Sequence, residues 1–118
     1  MSFKFERLII WQKAMEFGEE INSFAMTFPN NELYNLSSQI KRAVDSIALN
    51  IAEGSIGQSN AETNKFIGYA AIRSLAEVVT CLHKAIRRKY CNENTFNKYY
   101  LDAYELMNMM IAFRKNLN

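Results

Sequence analysis

The fold is decided by residues 39–54, which read QIKRAVDSIALNIAEG. Placed on a helix at about 100° per residue, this stretch shows two stripes where an ordinary amphipathic helix shows one. The apolar stripe consists of Leu36, Ile40, Ala43, Val44, Ile47 and Ile51. A narrow polar line runs beside it at helical spacing, and its members are Gln39, Arg42, Ser46, Asn50 and Glu53. The pattern predicts a helix, and Gly54 is predicted to end it.

The polar line differs from a solvated helix face, which usually carries interchangeable lysines and glutamates. Buried polar groups need hydrogen-bond partners, so we expect the line to fix helix register or a subunit contact, with a ligand site as the alternative. Arg42 is expected near residues 71–77 of the following helix, where Glu77 is its candidate partner, because an unpaired buried charge is costly. Glu53 is expected near the start of that helix, where a negative charge suits the helix dipole.

The composition predicts a single helical domain over residues 1–118. The chain has four glycines and one proline, too few turn residues for a sheet protein, and 49% hydrophobic residues, enough for a core. Apolar positions that recur every three to four residues predict four helices, over residues 6–27, 32–53, 60–89 and 93–115. Ser59 and Asn92 are the candidate N-caps of the third and fourth helices.

Short loops between these helices favour antiparallel neighbours, so the sequence predicts an all-α, antiparallel up-down-up-down four-helix bundle. The alternative is a helical hairpin that completes its bundle by dimerisation. The third and fourth helices carry apolar arcs that are wider than one bundle core can cover, and the outer face of the second helix carries little charge. These excess surfaces predict a subunit interface.

No residues combine into a catalytic, cofactor or metal site, so we expect no enzyme activity. His83 and Cys81 point to different helix faces and cannot easily share a metal ion. The sequence has no Glu-x-x-His pair of a di-iron bundle and no phosphate-binding glycine loop. Cys81 and Cys91 are expected to be reduced thiols. The start lacks the layout of a signal peptide, and no apolar run has membrane-spanning length, so the cytoplasm is the expected location.

A cluster of basic residues closes the third helix and is the candidate nucleic-acid surface: Lys84, Arg87, Arg88 and Lys89. Cations at a helix C-terminus also complement the helix dipole, so the cluster has a structural explanation as well. The net charge of +2 is modest, but repetition in an oligomer would form a basic ring that attracts polyanions. Contacts there are expected to be phosphate-led and weakly sequence-specific.

Three segments resemble the four-helix bundle family of 23S rRNA intervening-sequence proteins, to which the accessory proteins of diversity-generating retroelements are similar. The segments are residues 6–14 (ERLIIWQKA), residues 28–36 (FPNNELYNL) and residues 39–54; residues 74–77 (SLAE) in the second half also match. Two positions depart from the family pattern. Gln58 stands where a basic residue is usual, and Arg73 stands where a glycine usually precedes the serine.

The resemblance implies a four-helix bundle that assembles into a ring-like homo-oligomer, with a pentamer as the expected form, and it implies no catalytic residues. It also implies binding of nucleic acid, RNA or DNA, and, in the retroelement proteins, of a reverse transcriptase. Two functional hypotheses follow. The first is a non-enzymatic oligomeric scaffold that binds nucleic acid through its basic ends. The alternative is an interaction scaffold or adaptor for a nucleic-acid enzyme such as a reverse transcriptase, without direct nucleic-acid binding.

Overall fold

The structure is a computed structural model that describes residues 1–57 and 59–117. Within these residues it contains four helices and no β-strand, which confirms the predicted all-α class. The helices are α1 (Ile9–Ala25), α2 (Leu36–Ile56), α3 (residues 60–87) and α4 (Glu93–Lys115). Short 3-10 turns at Lys4–Arg7 and Asn30–Glu32 precede α1 and α2. The molecule measures 43 × 25 × 22 Å, as expected for long helices packed side by side.

Helix α3 changes its winding along its length. It begins as the α-helix Asn60–Lys65, widens to a π-helical segment at Phe66–Ala71 and returns to an α-helix at Ile72–Arg87. Segments of π-helix are rare and usually short. The segment presents Ile67 and Ala71 to the core, where both are fully buried. A pattern search with a single period of 3.6 residues does not reveal this change.

Side-chain hydrogen bonds cap the N-terminal ends of α3 and α4 at the two residues that the sequence predicts as N-caps. The Oγ atom of Ser59 accepts a hydrogen bond from the backbone N–H of Glu62 (3.1 Å). The Oδ1 atom of Asn92 likewise accepts from the N–H of Thr95 (2.8 Å). Each bond satisfies one of the N–H groups that a helix start leaves free. Both predicted caps are confirmed, and α4 spans the predicted residues 93–115.

The second helix differs from its predicted bounds at both ends. It begins at Leu36, because residues 30–32 form a 3-10 turn, and it continues through Gly54 to Ile56. The prediction that Gly54 ends the helix is therefore wrong. Gly54 instead allows a close approach between α2 and α3, since a Cβ atom there would lie 2.9 Å from the Cβ atom of Phe66. Helices α1 and α3 end at residues 25 and 87, where the sequence predicts 27 and 89.

The core lies between the four helices, with α1 packed against α2 and α4, and α3 packed against α2 and α4. Every member of the apolar stripe on residues 36–51 is buried, as the pattern predicts. The largest fully buried side chains are Ile21, Leu36, Ile40, Ile47, Ile51, Ile67, Leu75, Leu82, Met110, Val44 and Val78. Across residues 1–57 and 59–117, no helix combines the length and the apolar character needed to cross a membrane.

Candidate functional site

The C-terminal end of α3 presents basic side chains through a specific backbone cap. The N–H of Tyr90 donates to the carbonyl of Ala85 (2.9 Å), which is the longer hydrogen bond of a Schellman motif. Lys89 takes the left-handed conformation that this cap requires, with φ of 65°, at a position where glycine is usual. Lys84, Arg87 and Lys89 are all exposed. These three side chains form the basic end of the molecule, a name used below for this set.

The fourth predicted cation, Arg88, turns toward the segment that precedes α2. Its Nη1 atom donates to Oε2 of Glu32 (2.8 Å), and the hydroxyl of Tyr90 donates to the same oxygen (2.5 Å). The other carboxylate oxygen accepts hydrogen bonds from Nδ2 of Asn35 (3.1 Å) and from the N–H of Leu36 (3.3 Å). Glu32 is only 6% exposed. Arg88 therefore ties the end of α3 to the start of α2, in addition to the nucleic-acid role predicted for it.

The hydrogen bonds to Glu32 change two pKa values in opposite directions. The hydrogen bond from Tyr90 is the main cause of the lowered pKa of Glu32; burial opposes it, and the bonds from Leu36 and Arg88 add to it. The same Tyr90 hydrogen bond raises the pKa of the Tyr90 hydroxyl, because ionisation would lose the donor. The ionised carboxylate and the neutral phenol are thus the forms that the folded chain favours.

Glu32→Gln is expected to lower the melting temperature at neutral pH, with an effect that shrinks in acid. Because the pKa of Glu32 is lowered by folding, its carboxylate stabilises the fold above the unfolded-state pKa of 4.5. This stabilisation is lost as the pH falls through the lower folded-state pKa. Thermal unfolding of both proteins across the acidic range measures the gap, with exposed Glu16→Gln as the control. A gap that stays constant with pH would contradict the assignment.

An aromatic cluster adjoins the basic end and was not evident from the sequence. The ring of His83 lies 5.0 Å from that of Phe96 in an edge-to-face arrangement, and Phe96 stacks with Tyr100 at 5.7 Å. His83 is exposed, and Tyr100 is exposed over more than a third of its surface. The cluster holds the end of α3 against the start of α4.

Part of the polar line on α2 joins that helix to α3. The hydroxyl oxygens of Ser46 and Ser74 lie 2.6 Å apart. Nδ2 of Asn50 donates to the carbonyl (2.8 Å) and to the Oγ atom (3.1 Å) of Ser46. Ser46 therefore supplies a contact between the two helices, and Asn50 holds the Ser46 hydroxyl from within α2.

The rest of the polar line faces outward in the single chain. Gln39 is half-buried, and Arg42, Glu53 and Glu77 are exposed. Within residues 1–57 and 59–117, no ion pair joins Arg42 to Glu77. The role of these side chains in a subunit contact stays a prediction.

An apolar groove lies on the outer surface between α1 and α2. Its volume is about 430 Å³, and its lining residues are Phe5, Trp11, Ala14, Met15, Gly18, Glu19, Val44, Asp45, Ala48, Leu49 and Ala52. Small residues dominate where the two helices meet, and a Cβ atom at Gly18 would have no atom within 4 Å. The groove is therefore open space rather than a tight helix contact.

The outer face of α4 is also apolar. Leu101 and Tyr104 are 63% and 60% exposed, and Ile111 is 37% exposed. On α3, Tyr69 is exposed as well, and the guanidinium of Arg73 lies 5.3 Å from the centre of its ring. Large side chains from the wide apolar arcs that the sequence predicts on α3 and α4 are thus exposed to solvent in the single chain.

The described part of the chain offers few side chains that could bind a metal ion or act as reactive thiols. Residues 1–57 and 59–117 contain no group of three or more His, Cys, Asp or Glu side chains that could hold a metal ion. Cys81 is buried and Cys91 half-buried, and both are free thiols. Burial raises the pKa of each thiol, which disfavours the reactive thiolate. Gln58, one of the two departures from the family pattern, lies outside the described residues.

Comparisons with known proteins identify a family and a similarity to solved structures. The family model described as 23S rRNA-intervening sequence protein matches residues 6–112. The fold is similar to a crystal structure from Bacteroides thetaiotaomicron VPI-5482, described as a protein with unknown function from the S23 ribosomal protein family. The two chains are 25% identical, the match covers 92% of this chain and 96% of that chain, and the TM-score is 0.84. No curated protein matches this sequence.

Proposed function

Because the chain belongs to the 23S rRNA-intervening sequence protein family, we propose that it is a non-enzymatic, homo-oligomeric scaffold that binds nucleic acid through its basic end. The proposal has three parts: the antiparallel arrangement of the helices, the nucleic-acid surface and the oligomer. Each part is supported by different residues and is tested separately.

The proposed bundle has antiparallel, up-down-up-down helices. Contacts between opposite ends of consecutive helices support this order. Thr63, at the start of α3, donates to the carbonyl of Gly54 at the end of α2 (2.7 Å), whereas Ser74 contacts Ser46 further back along α2. Pairs of the same kind between α3 and α4 are Asn64 with Arg114 and His83 with Phe96. In this order the C-terminal end of α3 and the N-terminal ends of α2 and α4 share one end of the bundle.

The observation that carries nucleic-acid binding is the free charge at this end. Lys84, Arg87 and Lys89 are exposed, and no ion pair among residues 1–57 and 59–117 involves them. Unpaired cations can replace the counterions of phosphates, and the released counterions supply the affinity. Five copies of a chain with net charge +2 would carry +10, which would strengthen this attraction in the proposed pentamer.

A Lys84→Ala/Arg87→Ala variant is expected to bind a mixed-sequence RNA more weakly and with a shallower salt dependence than the wild type. Each lost phosphate contact should reduce the slope of log affinity against log salt by about one. Gel-shift titrations between about 50 and 200 mM salt measure that slope. Arg88 is left unchanged, because its contact with Glu32 makes it part of the fold.

The matched control for this experiment is Lys4→Ala/Lys13→Ala, which removes two exposed charges elsewhere. Its net charge equals that of the test variant. A difference in salt slope between the two variants therefore results from the positions of the removed charges and not from their number. Lys89→Gly removes a third charge while suiting the left-handed conformation of that residue. Equal slopes for both double variants, or no binding by the wild type at low salt, would contradict the proposed surface.

The proposed oligomer is a closed ring, with five copies as the expected number. The exposed apolar side chains of α4 and the open groove between α1 and α2 support it, since large apolar patches in solvent mark interaction sites. Light scattering should give a mass near five times 13.7 kDa. Arg42→Ala is expected to weaken assembly more than Lys41→Ala if the polar line orients a subunit contact. Equal assembly of the two variants would make Arg42 ordinary surface.

A second candidate function is an interaction scaffold or adaptor for a nucleic-acid enzyme, such as a reverse transcriptase, without direct nucleic-acid contact. The modest net charge of +2 and the exposed apolar side chains of α4 favour it. Gene neighbourhood separates the two candidates: a location within an rRNA gene favours the first, and a neighbouring reverse transcriptase favours the second. Absence of RNA and DNA binding by the assembled protein would leave only the adaptor.

A further inference from the structure

We infer that the groove between α1 and α2 receives the outer face of α4 from a second copy of the chain. The inference rests on the proposed homo-oligomer and adds which two surfaces meet. The contact is head-to-tail, because a groove on one copy meets a protruding helix face on the next.

The spacing of exposed residues on α4 is that of a helix-packing seam. Residues 97, 101, 104, 108, 111 and 115 recur at alternating steps of four and three, which is the pattern of helices that pack side by side in coiled coils. All six are exposed in the single chain. The seam reads Asn97, Leu101, Tyr104, Asn108, Ile111 and Lys115. Its apolar members face solvent although the spacing suits burial against another helix.

The groove offers two seams of the same spacing. On α1 the positions are residues 11, 15, 18 and 22, and on α2 they are residues 45, 49, 52 and 56. Five of these line the groove with apolar or small side chains: Trp11, Met15, Gly18, Leu49 and Ala52. The two seams flank a trough for a third helix, and at one end of it Nδ2 of Asn22 donates to Oδ1 of Asp45 (3.0 Å). The open space over Gly18, where a Cβ atom would meet nothing within 4 Å, suits a large side chain such as Tyr104.

The charges of the two surfaces are complementary. Glu19 and Asp45 line the groove, and no lysine or arginine lines it. The seam of α4 has one charged member, the cation Lys115. Opposite charges across an interface favour the correct orientation and partner. The acidic lining would repel an anionic lipid surface or nucleic acid, so a second copy is the occupant that both surfaces of this chain suit.

The experiment compares two variants that each remove one surface. Gly18→Leu fills the groove with a side chain that meets no atom at its Cβ, and Tyr104→Glu places a carboxylate where the seam would meet Glu19 and Asp45. Both are expected to be monomers of 13.7 kDa by light scattering at concentrations where the wild type assembles. Gly18→Ala and Glu105→Gln are the matched controls and should assemble. Circular dichroism verifies that each variant keeps its helices.

Mixing the two variants tests the head-to-tail geometry directly. Gly18→Leu keeps an intact seam and Tyr104→Glu keeps an intact groove, so an equimolar mixture should form a dimer that neither variant forms alone. Assembly of Gly18→Leu like the wild type, or no dimer in the mixture, overturns the inferred contact and leaves the proposed oligomer standing. A monomeric wild type overturns both. The RNA-binding experiment is independent of either result.

Discussion

Leu82→Ala is expected to lower the free energy of unfolding by about 2–5 kcal/mol, the range for a leucine deleted from a packed core. Leu82 lies on α3 and is fully buried. The truncation removes apolar surface from the core and leaves a cavity that the neighbouring helices fill only in part. The spread of the range reflects how far the site can collapse.

Leu101→Ala is the matched comparison, because the same atoms are removed from a side chain that is 63% exposed. In the isolated chain this change is expected to cost less than about 0.5 kcal/mol. Urea unfolding of the three proteins measures both effects, with the proteins compared at equal concentrations, once at high dilution and once where the wild type assembles, since assembly makes stability concentration-dependent. If Leu101 lies in the inferred contact, its variant should lose stability only at concentrations where the wild type assembles. Equal losses for both leucines at high dilution would contradict the assignment of the core.

Gly54→Val is expected to lower the free energy of unfolding by about 1–3 kcal/mol through overpacking. A Cβ atom at this position would lie 2.9 Å from Cβ of Phe66 and 3.4 Å from the backbone oxygen of Thr63. Both atoms are close to the backbone of α3, so relief requires a shift of the whole helix. Such a shift would also strain the hydrogen bond from Thr63 to the carbonyl of Gly54 (2.7 Å).

Two other glycines provide graded controls for this prediction. A Cβ atom at Gly68 would meet the guanidinium of Arg114, the movable end of a flexible side chain, and one at Gly18 would meet open space. Gly18→Ala should stabilise α1 by about 0.5–1 kcal/mol, because alanine suits a helix interior better than glycine. Thermal unfolding of the three alanine variants should therefore rank Gly18 above Gly68, and Gly68 above Gly54. A Gly54→Ala protein that is as stable as the wild type would show that the two helices are not in close contact there.

Features that depend on near neighbours in the chain were predictable. The apolar stripe of residues 36–51 is a local pattern, and every member of it is buried. The caps at Ser59 and Asn92 involve backbone groups three residues away, so the sequence contains both partners of each bond. The resemblance to the 23S rRNA intervening-sequence proteins was visible in the same local segments and agrees with the family match over residues 6–112.

Features that join distant parts of the chain were not predictable from local patterns. Glu32 and Arg88 are 56 residues apart, and the sequence offers only an acidic residue in a predicted helix start and a basic residue in a predicted helix end. Gly54 illustrates the same limit, because a glycine near a helix end usually terminates the helix. Here the approach of Phe66 gives it a different role.

The sequence by itself determined the class of the fold, the number of helices and the buried stripe of α2, because periodicity and capping act within a few residues. Only the tertiary structure decided which polar groups are paired and which apolar groups stay in solvent. It pairs Arg88 with Glu32 and Ser46 with Ser74 through hydrogen bonds, and it leaves Arg42 exposed in the single chain. Burial and pairing depend on which helix faces which, and that arrangement arises from the packing of all four helices together.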